Sequence, residues 1–143
     1  MLGVLLPALV VGCSSLPSGR MCPMFESSGG LSVQASQYAA AHRQAARLWA
    51  CASRSETGCA HQKPSSPQGS ATLAPGGVQA LTLPGLPVGT WWARVVISTG
   101  TGAELVDAEV QVDMRSVGIA GCPNTMAVAG SVTVAADGPL HSP

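Results

Sequence analysis

The residues able to do chemistry are scattered. His42 lies on a helix-prone stretch near Arg43 and Arg47, His61 sits in a Pro/Ser loop, and His141 belongs to the C-terminal His-Ser-Pro. Serines abound, but none lies in a Gly-x-Ser-x-Gly elbow. Triads are recognised by spatial geometry, so the order of residues assigns no catalytic residue. Asp107 and Glu109 stand two apart, a glycosidase pair in composition only, because one strand face does not enclose a substrate. With Asp113 they supply oxygens for calcium, yet a flat strand face lacks the wrapped ligands calcium takes. No CxxC is present and the histidines are dispersed, so neither a metal site nor a cofactor is expected. No Gly-rich loop follows a strand and opens a helix, which removes support for nucleotide binding. What remains is Trp92 with Arg94. An outward indole beside a guanidinium suits a sugar platform or a protein hot spot, which makes this pair the candidate binding surface; the alternative is an indole packed under a loop or the N-terminal arm.

The element that positions them is a hairpin over 90–114. Trp91, Ala93, Val95 and Ile97 share one parity, as do Val106, Ala108, Val110, Val112 and Met114. Trp92, Arg94 and Val96 take the other side, with Asp107, Glu109, Gln111 and Asp113. Strict alternation puts these sets on opposite faces, one buried and one wet. Gly100 and Gly102 supply the turn. Inward residues must face inward residues, so a turn centred on Thr101 pairs Val95 with Ala108 and Trp91 with Val112. Arg94 then opposes Glu109, and a bulge in the turn would shift its partner to Asp107 or Gln111.

The remaining chain reads as short strands. Residues 31–35 alternate, Ser36 is placed to cap a short helix near 36–43, and 47–52 is a strand entering the Cys51–Cys59 loop, itself read as strand–turn–strand. Residues 71–73 and 78–83 are further strands, 116–124 is a Gly/Pro/Cys loop, and 126–136 is the last strand. About seven or eight short strands favour an all-β fold, an antiparallel β-sandwich with an immunoglobulin- or fibronectin-like Greek key.

Residues 1–13 read MLGVLLPALVVGC. The apolar run is too short to span a bilayer as a helix and suits a signal-peptide core. Its end, Val10-Val11-Gly12-Cys13, resembles the lipobox of bacterial lipoproteins. That resemblance implies cleavage after Gly12, lipid on Cys13, and a flexible tether over 13–21. No Lys or Arg precedes Arg20, so the basic region that opens a signal peptide is missing, which we read as a start placed a few residues too far downstream.

There are five cysteines, and setting Cys13 aside leaves Cys22, Cys51, Cys59 and Cys122. An even set suits an exported, oxidising setting. Proximity pairs Cys51 with Cys59, which leaves Cys22 with Cys122. Net charge is zero with 10% charged residues, so the basic excess of a nucleic-acid binder is absent. Aromatics make up 3%, so the core must be Val, Ala and Leu, thin enough for disulfides to matter.

The order of features is a lipobox, a polar tether, a mini-loop after RLWACA, a hairpin carrying VDAEV, a Gly-Cys-Pro-Asn loop and a Val-rich strand ending in Asp-Gly. It resembles the small secreted or lipid-anchored β-sandwich proteins of GC-rich bacteria. The resemblance implies a sandwich at 22–137, a C-terminal tail at 138–143 and a place on the outer face of the bacterial cell membrane. It carries no catalytic residue. The expected function is a non-enzymatic binding module of the envelope, held by lipid on Cys13 and meeting an envelope protein or glycan. The alternatives are an envelope enzyme, an inhibitor of one, or a purely structural component.

Overall fold

The computed structural model describes residues 29–61, 66–74, 79–119, 122 and 125–143. The signal peptide, the tether, Cys13 and Cys22 lie outside the described residues, as does the side chain of His61. Strand β1 (Gly30–Gln34) leads through helix α1 (Ser36–Ala41) into β2 (Ala45–Ser53). A 3-10 turn at Gly58–His61 precedes β3 (Gln68–Thr72), β4 (Ala80–Leu83) and β5 (Gly89–Thr99). Then come β6 (Glu104–Gly118), β7 (Met126–Val134) and β8 (Leu140–His141).

The hydrogen-bonded order is β3-β2-β5-β6-β7-β1-β4, with β8 beside β7. The two ends of that path approach each other. A Cβ on Gly69 of β3 would stand 3.3 and 3.4 Å from methyls of Leu83 and Leu81 in β4. The expected β-rich chain with one short helix is therefore present, but two features depart from an antiparallel sandwich. Strand β1 runs parallel to β7, Val33 beside Val132. The strands also form one mixed, nearly closed, barrel-like sheet. Alternation reports which face a residue takes, not which strand lies beside it or in which direction.

Strand β6 is the hinge of this arrangement. Its first part pairs with β5, and Arg115–Gly118 pairs with Ala129–Met126 of β7. The β6–β7 ladder ends at the Arg115–Ala129 pair, and on the next residue, Gly130, a Cβ would lie 2.6 Å from the Met114 Sδ. Glycine here leaves room for Met114 to enter the core, where it is 1% exposed. The core is aliphatic, as the composition requires. Leu31, Val33, Leu48, Ala93, Val95, Ile97, Val132 and Val134 are all fully buried. Burial of each large aliphatic side chain contributes about 1.5–3 kcal/mol.

Local corrections follow from pairing. Ser36 is the first helical residue and Ala35 holds the N-cap without a side-chain bond. The segment after β2 is a turn followed by the 3-10 turn, not a second strand. Ser116, Val117 and Gly118 extend β6, because β7 gives their backbone a partner. Leu140 and His141 pair with Val134 and Thr133, so that part of the tail is a strand.

Candidate functional site

The β5–β6 register is the expected one: Val95 opposite Ala108, Ala93 opposite Val110, Trp91 opposite Val112, and Arg94 opposite Glu109. With β2 this makes four cross-strand rows on the outer face. They are Ser53–Trp92–Gln111, Cys51–Arg94–Glu109, Trp49–Val96–Asp107 and Arg47–Ser98–Glu104.

The last row breaks the parity. Glu104 is even-numbered, like the inward Val106, and plain alternation would point it inward. A register shift between Ile97 and Ser98 pairs Ile97 with Val106 but Ser98 with Glu104. The extra residue turns Glu104 outward, the way a bulge re-aims a side chain. The turn that follows β5 is closed by the Thr99 amide on the Ala103 carbonyl (2.9 Å) and needs Gly102 at φ +93°.

The face holds all four acids of β6, each treated differently. Arg94 donates Nε and Nη2 to the two Asp107 oxygens, both at 2.8 Å. The register places Arg94 opposite Glu109, but the ion pair is diagonal. Glu109 instead accepts the Thr57 amide at 3.0 Å. Asp113 accepts Thr90 Oγ1 at 3.1 Å and meets Arg115 at 3.4 Å. Glu104 makes no hydrogen bond or ion pair with the described residues; it adds only to the field on Arg94. The Arg94 guanidinium holds the Asp107 carboxyl below its usual range by direct hydrogen bonding, against the opposing effect of burial. The same bond raises Arg94.

A disulfide loop covers part of this face. Cys51 and Cys59 are bonded, with Cα atoms 5.9 Å apart, as expected from their spacing. Both are buried, at 2% and 0% exposure. Arg54 of the loop lies 4.0 Å over the Trp91 ring and donates to the Val88 and Thr90 carbonyls at 3.4 Å. Trp91 is core, as expected, and donates Nε1 to the Pro87 carbonyl at 3.0 Å. Cys122 is also buried and disulfide-bonded; its expected partner Cys22 lies outside the described residues.

Two shallow depressions flank the Arg94–Asp107 pair. One, of about 250 Å³, lies under the loop between Thr57, Ala60, Arg94, Asp107 and Glu109. The other, of about 210 Å³, is walled by Trp49, Arg94, Val96 and Glu104. Both residues of the expected binding pair, Trp92 and Arg94, lie on this face. Arg94 is at the centre, while the indole walling the open depression is Trp49. Trp92 stands two rows away, half-buried, between Ser53 and Gln111. Trp49 was legible as an outer-face residue, since it shares the parity of Cys51. Glu104 was not, because an inserted residue leaves no mark in a period of two.

A larger depression, of about 520 Å³, lies between α1 and the start of β2 and is lined mostly by alanines with Leu73. Its polar groups are Arg43 and Gln79, and the Gln79 amide already donates to the Ala74 carbonyl at 3.3 Å. Sites that fix a ligand use convergent polar groups, and those gather around Arg94 instead.

Among the histidines whose side chains are described, His42 does structural work. His42 stacks on Tyr38 with ring centroids 4.1 Å apart, and its Nε2 donates to the Ala136 carbonyl at 2.9 Å. This ties α1 to the turn after β7. His141 sits in β8. Among the described residues no three His, Cys, Asp or Glu side chains converge to hold a metal. No protein-family model, no curated protein and no solved structure matches this chain.

Proposed function

We propose that this chain is a lipid-anchored, extracytoplasmic binding module of a bacterial envelope, without enzymatic activity. The observation that carries the reading is the buried Cys51–Cys59 disulfide, which suits a compartment that does not keep thiols reduced. Cys122, disulfide-bonded as well, gives the same signal, and we assign its partner as Cys22. Cys13 would carry the lipid; its two acyl chains supply in one modification the double signal that stable anchoring takes. The face displayed outward is that of β2, β5 and β6 around Arg94, with Trp92 and Trp49 on it. The unused Glu104 carboxylate and a half-buried indole beside a fixed guanidinium support binding there.

The test is protease shaving of intact cells combined with detergent partitioning of wild type and Cys13→Ala. The expected result is cleavage from outside, with the wild type in the detergent phase and the variant in the aqueous phase. A protein protected inside cells, or equal aqueous partitioning of both forms, would refute the reading.

A further inference from the structure

We infer that the depression between Trp49, Val96, Arg94 and Glu104 is a subsite for one uncharged pyranose ring of a glycan. The inference rests on the binding reading above and names its ligand class.

Four observations converge. Trp49 and Val96 face each other across β2 and β5 and form an apolar wall. The neighbour of Trp49 on β3 is Ser70, too small to cover an indole. Arg94 is pinned by Asp107 through Nε and Nη2, so its guanidinium plane is fixed, and Nη1 makes no hydrogen bond among the described residues. Glu104 is swung outward by the bulge and spends its oxygens on no described residue. The site therefore offers one apolar face, one oriented donor and one acceptor.

A pyranose ring presents the complement. Its axial C–H bonds form an apolar face that rests on an indole. Its vicinal hydroxyls both donate and accept, so one set can donate to Glu104 while a neighbour accepts from Arg94.

Charge and size narrow the class. Arg94 is neutralised by Asp107 in a direct pair. Arg47 and Glu104 stand in one cross-strand row on either side of Ser98. Charge around the depression is thus close to balanced, which favours neither an acidic sugar nor a basic peptide. Its volume of about 210 Å³ is below the roughly 300–1,000 Å³ of pockets for drug-sized ligands. One ring fits, and further rings of an oligosaccharide would run out over the neighbouring strands.

The experiment is titration calorimetry of the mature, disulfide-bonded chain with cellotetraose, mannotetraose and N-acetylated chitotetraose. Tetragalacturonate and a lysine tetrapeptide are the charged probes. Wild type, Trp49→Phe, Trp49→Ala, Glu104→Gln and Trp92→Phe are compared, each checked for folding by circular dichroism. At least one neutral tetrasaccharide should bind. Glu104→Gln and Trp49→Ala should each weaken it about tenfold or more, ~1.4 kcal/mol. Trp49→Phe should keep most of the affinity and Trp92→Phe should leave it unchanged. Glu104→Gln is on the surface and leaves the fold intact, so it decides the matter even if Trp49→Ala unfolds. Preference for the acidic sugar or the basic peptide would overturn the subsite, as would no binding of any neutral sugar. Neutral-sugar binding lost in Trp92→Phe but kept in Glu104→Gln would also overturn it, while leaving the broader binding face standing.

Discussion

Two halves of one sheet face are built from the same strands and put to different use. On the covered half, Cys51, Arg94 and Glu109 form a row roofed by the loop that Cys51–Cys59 closes. The Thr57 amide reaches down to Glu109, while Arg54 of the same loop lies over Trp91 on the opposite, inward face. On the open half, no described loop roofs the rows of Trp49 and Glu104, and Glu104 has no described hydrogen-bond partner. Alternation alone would make both halves an ordinary solvated face. A disulfide spends one half on stability, and a bulge leaves the other with an indole, a guanidinium and a carboxylate pointing at one hollow. Arg94 belongs to both, bracing Asp107 while it lines each depression.

The difference is tested first by unbolting the covered half. Cys51→Ala with Cys59→Ala releases the loop, and chain entropy puts the loss near 2.5 kcal/mol. Urea unfolding should show it as a lowered midpoint. Sugar affinity at Trp49 should stay unchanged, because the roof lies on the other side of Arg94. A fall in affinity matching the fall in stability would erase the distinction between the halves.

Arg54→Ala removes a cation over an indole, worth about 0.5–1 kcal/mol at an exposed site. Thermal unfolding should register that loss, and Trp91 fluorescence should shift as its upper face meets water. Arg54→Met, which keeps the stem but not the charge, should recover part of it.

Asp107→Asn tests the boundary. A partly exposed pair contributes on the order of 0.5–1 kcal/mol. The Asp107 carboxyl lies below its usual range in the folded chain, so its contribution is full at neutral pH. It is lost as pH falls below about 4 and passes through the lowered value. The gap between wild type and variant should therefore be widest near neutrality and close in acid. A gap that widens on acidification would mean the pair is not formed.

The smallest effect is expected at Glu104→Gln, where stability should change by less than about 0.5 kcal/mol. A larger loss would show that Glu104 braces the fold and is not spare.

Legibility followed the same division. The hairpin was readable because nine apolar residues kept one parity on either side of a Gly-Thr-Gly turn. The roof was readable in part, since two cysteines eight apart in sequence can hardly avoid pairing, although its 3-10 turn was not. Asp107 was reached only as the partner a bulge would bring to Arg94, because register names the residue opposite but not the one a long side chain chooses. Glu104 escaped because a bulge resets the count without changing composition. The parallel β1–β7 contact escaped for a different reason: Leu31 and Val33 look the same whichever strand lies beside them.

The claim beneath all of this is that the roof is held by a disulfide the protein keeps where it works. Thiol mapping by mass spectrometry tests it directly, with the protein drawn from its native cells and alkylated before lysis. The expected map joins Cys51 to Cys59 and Cys22 to Cys122, with a lipid mass on Cys13. Alkylated, free Cys51 and Cys59 thiols would contradict the account, and with it the proposed extracytoplasmic location.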